Sequence, residues 1–441
     1  IDGIAYFLDC YDMYMLPYFA YYINTVYFGG NIPYIYDCLL RTAAPIGSLF
    51  VKFIILIFPI KIQHPIPNIG LILVMASSLG ISLTGNGSGV NFIAALVFWR
   101  FALGIGLALE DPYKAILNLP SAKTATTPKL VMKAVYISLT CAILLGFVVS
   151  LVVSGSFKFV ENDQIPILDY VWRIFAGNIF FPAAVILYCR MTRNIEGVRD
   201  EKCREETLIE GRNNITSGII EDKEPRNFSW KESIAHFSKP KNFIVLTGGM
   251  YLMFVTSLIF WGYAWNLGTI FFLIGYVDPN WSLGTINFAV AVGVLTVAFG
   301  GIPGFFASIS LIERIGRRNL HLLGFGGMTL INLILGFAFD RVKTTSSHLF
   351  VWLLTLESVF AQLAPNGTVL TKFNPTMSDP EQEPSSKGYY LTAMVLGLIA
   401  SQFLFTYTKN IGGPSAFIHY TFQIYSYLSI SALLITFLLP D

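Results

Sequence analysis

Charge is what this 441-residue chain has least of: Lys and Arg number 29, Asp and Glu 27, together 13% of the residues. An average soluble chain carries about a quarter. The shortfall, with 54% hydrophobic residues and a mean hydropathy of +0.61, excludes a disordered chain and argues against a water-soluble globule. A formal net charge of +2 supplies no basic surface to neutralise phosphates, which excludes nucleic acid as a partner. Cysteine is also sparse: Cys10, Cys38, Cys141, Cys189 and Cys203 are odd in number and form no Cys-x-x-Cys, so neither a disulfide framework nor a zinc site is indicated. The five histidines are scattered, and no metal or cofactor motif occurs. No His-Glu-x-x-His or nucleophile elbow occurs either, so an enzyme is not expected. A charged n-region with a small-residue cleavage site is missing as well, and the opening at Ile1 reads as a missing N-terminal tail rather than a signal peptide.

Long apolar runs are what is present. A transmembrane helix uses about 20 apolar residues, and runs predict twelve spans near 2–28, 37–60, 68–84, 92–120, 130–155, 170–190, 243–270, 283–311, 320–340, 347–373, 388–408 and 417–439. The runs are continuous rather than alternating, which excludes a barrel. Between them, 191–242 is polar, with ten acids and as many bases, and cannot cross a bilayer. It separates a six-helix half at 1–190 from a second at 243–441. Six plus six around a charged hinge is the architecture of the major facilitator superfamily, an all-α polytopic membrane fold. Lys and Arg concentrate in alternate loops and in the central segment, which places both termini in the cytoplasm. The sequons at Asn86 and Asn280 then fall outside and that at Asn214 inside.

Ionisable residues within spans are costly and mark function by default. Asp9 and Asp12 in the first span lie about 60° apart on one helix face. Two acids sharing a low-dielectric cavity cannot both ionise cheaply, which suits proton coupling; acids wetted at a helix entry are the plainer alternative. In the fourth span, Arg100 stands ten residues from Glu110, about 15 Å along the axis, so it needs a partner on another helix, and Asp12 or Asp9 is the economical choice. Glu110 and Lys114 have the spacing of a helical ion pair. Gly104 and Gly106 let a helix or a ligand approach the backbone, and Pro112 is expected to kink the helix near the midplane.

Two further elements stand out. Glu313, Arg314, Arg317 and Arg318 fill a tight turn between the eighth and ninth spans, fitting either a gate whose ion pairs change partners or a topogenic cluster. The equivalent first-half stretch, Gly47 through Lys61, lacks an acid and a Gly-Arg-Arg. In the tenth span, Pro365-Asn366-Gly367 breaks helical hydrogen bonds, as a simple kink or as an amide offered to a cavity.

Together these motifs resemble the phosphate:proton symporters of fungi and plants within the major facilitator superfamily, whose relatives include glycerophosphodiester permeases. The resemblance rests on Asp9-Cys10-Tyr11-Asp12, on Arg100 through Glu110-Asp111-Pro112, on Trp172-Arg173 with Pro182 and Arg190, on Glu313 through Arg318, and on Pro365-Asn366, and so covers nearly the whole chain. It implies that Asp9 and Asp12 handle the proton, that Arg100 couples to them, and that Tyr11, Glu110, Asp111, Lys114, Ser257, Trp261 and Asn366 border a small anionic solute. The expected protein is a monomeric, lipid-embedded symporter of the plasma membrane, carrying inorganic phosphate by alternating access. A phosphodiester or other organic solute, and a non-transporting sensor, are the alternatives. The family's seventh-helix Trp, Asp and Tyr are replaced by Met253, Ser257 and Trp261, its fifth-helix Gln by Leu139 or Thr140, and the Tyr of its fourth-helix motif by Asp111. The pocket is therefore not the family's phosphate pocket.

Overall fold

The computed structural model describes residues 2–57, 65–85, 91–110, 127–159, 165–192, 235–363, 383–409, 411–412 and 417–439. Twelve principal helices are described. In the first half they are α1 (Asp2–Phe28), α2 (Tyr34–Ile57), α3 (Pro65–Leu83), α4 (Phe92–Leu109), α5 (Thr127–Ser156) and α6 (Asp169–Thr192), the last with a two-residue turn at Asn178-Ile179. In the second they are α7 (Pro240–Ala264), α8 (Leu283–Ile315), α9 (Arg317–Phe337), α10 (Ser347–Leu363), α11 (Glu383–Thr408) and α12 (Ile418–Leu438). Eight of these are long and apolar enough to cross a bilayer. Phe98, Phe181, Val185, Leu330 and Leu434 lie exposed on their outer faces, where acyl chains rather than water suit them. The chain is an integral membrane protein.

Boundaries differ from expectation where side chains capture the backbone. The seventh helix ends at Ala264 rather than near 270. There the Asn266 amide donates back to the Gly262 carbonyl (2.8 Å) and across to Gln402 Oε1 (3.2 Å), and a short helix, Leu267–Leu273, follows. Helix α2 begins at Tyr34 rather than 37, so Asp37 lies within its first turn. The fourth span is helical to Leu109 and the tenth to Leu363; the remainder of each predicted run, with Pro112 and Pro365, lies outside the described residues. Of the polar central segment, α6 continues to Thr192 and α7 starts at Pro240, with proline in the first helical turn, where its missing N–H costs nothing.

The packing repeats with a shift of six helices. Within the first half α1 packs on α5 and α6, and α2 and α3 on α4; within the second α7 packs on α11 and α12, and α8 and α9 on α10. The two halves meet through α2 against α11 and α5 against α8, a pair that the same shift maps onto itself. That is the signature of two six-helix bundles related by a pseudo-twofold axis. Close crossings need glycine at matching places. A Cβ on Gly104 of α4 would overlap the Ala44 carbonyl of α2, and one on Gly304 of α8 would overlap the Val359 carbonyl of α10. Gly106 likewise faces α3, at Gly70 and Val74, so neighbouring helices rather than a ligand occupy the space that both α4 glycines leave.

Because the obstacle at Gly104 is backbone, it cannot swing aside. Gly104→Leu is expected to abolish folded, monodisperse protein on size-exclusion chromatography in detergent; elution like the unaltered chain would contradict this packing.

Candidate functional site: a charged cleft and the seam between halves

On the inner face of the first half, α1 and α4 bring Asp12 and Arg100 together. The guanidinium grips the carboxylate as a fork, Nη1 donating to Oδ1 and Nη2 to Oδ2, each at 3.2 Å. Arg100 is 2% exposed, yet Asp12 keeps 15% of its side chain open to a small cleft that it lines with Tyr11, Phe19, Leu103 and Phe175. The Phe19 ring sits 5.1 Å from the Arg100 guanidinium and partly compensates its lost water. Arg100 Nε is buried without a hydrogen-bond partner among the described residues. The site therefore holds a cation only partly satisfied by its acid. Asp9, three residues earlier, is half-buried, and Tyr11 accepts a hydrogen bond from Asn178 of α6 at 3.0 Å.

Glu110, at the C-terminal end of α4, pairs with Arg190 of α6 at 2.7 Å, its side chain 1% exposed. Glu110 thus has a cross-helix partner. Lys114, Asp111 and Asn366 lie outside the described residues. The Trp172-Arg173 motif is a structural lock. Asp169 accepts from Trp172 Nε1 (2.8 Å), Tyr27 OH (2.7 Å) and Arg173 Nε (2.8 Å), while Arg173 Nη1 caps the end of α3 through the Ser82 and Thr84 carbonyls, both at 2.7 Å.

Across the seam, Trp261 of α7 meets Tyr14 of α1 edge-on at 5.7 Å, and Trp265 Nε1 donates to the Met13 carbonyl at 2.9 Å. Ser257 is fully buried, its Oγ unpartnered among the described residues. Met253 instead packs with Leu246 and Tyr390, toward α11. The predicted gate turns on Gly316, whose φ of +76° only glycine adopts without strain. Arg314 there is exposed, and Arg318 donates to the Phe437 carbonyl of α12 at 2.7 Å, tying adjacent helix ends; the side chains of Glu313 and Arg317 lie outside the described ones.

Sequence reasoning missed a clasp at the end of the bundle that carries the 29–33 turn. Asp37 and Arg41 of α2 pair at 2.7 Å, Lys409 at the end of α11 approaches Asp37 at 3.7 Å, and Arg41 donates to the Trp265 carbonyl beyond α7. Tyr18 OH donates to the Ala291 carbonyl of α8 at 3.0 Å close by. Three helices of the two halves are thus joined by buried, charge-assisted bonds. The four-residue spacing of Asp37 and Arg41 was a readable signal; their partners lie in the other half and were not.

The family described as Sugar (and other) transporter matches residues 38–440, and the chain belongs to it. It is a family of membrane transporters, not enzymes. The chain is similar to the repressible high-affinity phosphate permease of Neurospora crassa, at 23% identity over all of this chain and 83% of that one. It is also similar to the low affinity inorganic phosphate transporter 4 of Lotus japonicus, at 24% over 83% of this chain and 75% of the relative. Among solved structures, a D-xylose-proton symporter superposes with a TM-score of 0.68 at 15% identity, covering 100% of this chain and 96% of that one. The partially occluded, inward-open xylose transporter of E. coli gives 0.64 at 14%, over 100% and 98%. Both establish the fold: twelve helices in two six-helix halves.

Neutralising one member of the fork strands the other. Asp12→Asn is expected to lower stability by about 3 kcal/mol or more, as for other broken buried pairs, and Arg100→Gln added to it to restore part of the loss. Thermal unfolding in detergent measures this; additive losses would show that the two groups do not act as a pair.

Proposed function

We propose that the chain is a proton-coupled transporter of inorganic phosphate that works by alternating access. The observation that carries this reading is the fork itself: a buried guanidinium whose only described acid partner is also the most accessible carboxylate of the cleft. A guanidinium presents paired donors that suit a carboxylate and a phosphate equally. Protonation of Asp12 cancels its charge and opens the fork. The freed Arg100 then offers phosphate the place the carboxylate held. Deprotonation on the opposite side closes the fork and expels the anion. Proton and anion are thereby coupled through one cation. The phosphate permeases and transporters among the similar sequences support the substrate, and the family supports the carrier mechanism.

In this reading Asp9 assists Asp12, and Tyr11, Glu110, Asp111, Lys114, Ser257, Trp261 and Asn366 border the solute. Glu313, Arg314, Arg317 and Arg318 act at the cytoplasmic gate, between two halves that divide near 191–242. The Lys and Arg distribution puts both termini in the cytoplasm, the host membrane being the plasma membrane. The clasp of Asp37, Arg41 and Lys409 is then the outer gate, held shut here. A phosphodiester would engage the same fork with two fewer ionisable oxygens.

Radiolabelled phosphate should accumulate in proteoliposomes that carry an inward proton gradient, and a protonophore should abolish accumulation. Phosphodiesters and uncharged sugars should compete weakly. Accumulation indifferent to the protonophore, or retained by Asp12→Asn, would reject the scheme. For the clasp, Arg41→Gln is expected to shift the carrier toward the outward-open form, so that Ala291→Cys in a cysteine-free background reacts with an impermeant thiol reagent roughly tenfold faster, the factor equivalent to about 1.4 kcal/mol of conformational bias. An unchanged labelling rate would assign those ions to static packing.

A further inference from the structure

The second half contains an acid that none of these roles uses. Glu357 lies ten residues into α10, about 15 Å along its axis, and is 0% exposed. Asn332 of α9 donates to its Oε1 at 2.7 Å. Its other oxygen is equally buried and has no hydrogen-bond partner among the described residues, nor does any described Lys, Arg or His pair with it. The Oδ1 of Asn332 and the hydroxyl of Tyr425 are buried and unpartnered in the same way.

Among the described residues, nothing around it would neutralise a carboxylate. From α7, Tyr263 is an electrostatic neighbour of Glu357 and bonds Ser358 at 3.2 Å; from α12, Tyr425 is another such neighbour. Helix α8, packed along α10, has no ionisable side chain from Leu283 to Ile312. Asp340, Arg341 and Lys343 lie in the short helix Phe339–Thr345 that precedes α10, beyond its other end. One amide cannot offset the removal of a full negative charge from water, which costs several kcal/mol. A neutral carboxylic acid has no such cost.

The cluster also borders the moving seam. Tyr14 of α1 is an electrostatic neighbour of Tyr263, and Trp261, one half-turn before Tyr263, packs on Tyr14. Separation of α1 from α7 would wet the hydroxyl pair Tyr263–Ser358, which adjoins the carboxyl. We propose that Glu357, with Asn332, Tyr263, Ser358 and Tyr425, forms a proton-binding site of the second half that takes up and releases one proton per transport cycle. The carboxyl takes up its proton from water on the outer side while the seam is open there, and releases it to water on the cytoplasmic side when the seam opens to that side. This inference rests on the proton-coupled reading given above and adds a second carrier of protons to it.

The experiment reconstitutes the full chain in proteoliposomes and records phosphate uptake and proton uptake together. Glu357→Gln copies the shape of the neutral acid and cannot release a proton. It is expected to keep the melting temperature of the unaltered chain, to move one proton fewer per phosphate, and to lose most of its stimulation by external acid. An unchanged proton-to-phosphate ratio with an unchanged pH profile would overturn the proposal. So would uptake by the unaltered chain that requires sodium instead of a proton gradient and loses that requirement in Glu357→Gln, because the site would then take a metal cation. Should the variant fail to fold, infrared spectra of the unaltered chain with isotope-labelled glutamate decide: a protonated carboxyl band that shrinks under turnover supports the site, and an absent or unresponsive band overturns it. Failure of the unaltered chain to move phosphate would reject the substrate assignment, while the presence or absence of the protonated Glu357 carboxyl band in the resting chain would still judge the site.

Discussion

A guanidinium held in a low-dielectric interior must have a counter-charge, and that requirement organises this molecule. Arg100 is buried on α4, its own helix offers no acid within reach, and the only described carboxylate that grips it comes from α1. The pairing holds α1 and α4 in register around the cleft and leaves one side of the carboxylate reachable. The same need recurs at Glu110 and Arg190, which join α4 to α6, and at Asp37 with Arg41 and Lys409, which join the two halves. Each of these ionic clusters reaches across different helices or different halves, so each is a place where relative motion and electrostatics are linked.

The seam between the halves combines firm and yielding parts. Aromatic contacts such as Tyr14 on Trp261 and Phe147 on Phe299 are edge-on and tolerate sliding. The clasp, the Tyr18 bond to Ala291 and the Trp265 bond to Met13 must instead break. Within each half, backbone-on-backbone crossings at Gly104 and Gly304 leave no slack. A rigid bundle on either side of a seam fastened by a few directional bonds is what rocking requires.

Much of this was readable from the chain. Lipid demands unbroken apolar runs, so each helix advertised itself by length, and the two halves by the polar stretch between Thr192 and Pro240. That Arg100 needs an acid from another helix followed from the spacing on α4, which left Asp9 and Asp12 open; the structure brings Asp12 to it. The pairing of Glu110 with Arg190 was not readable, because Arg190 comes from another helix whose rotation no one-dimensional pattern encodes. Asp37 and Arg41 lay four apart in the second apolar run, but their partners Lys409 and the Trp265 carbonyl belong to the other half. Glu357 was plain to see as a solitary acid in the tenth apolar run, but it belongs to no motif, and only three-dimensional packing shows that no cation faces it.

The cancellation of charge within the cleft has an electrical consequence. Arg100 with Asp12, and Arg190 with Glu110, each sum to zero, so these pairs can turn with the rocking halves without transferring charge through the field across a polarised bilayer. A field of 100 mV acts on one uncompensated charge with about 2.3 kcal/mol. These internally paired ions escape that force, so the resting voltage of the cell acts only on the cargo and on groups whose charge changes during the cycle.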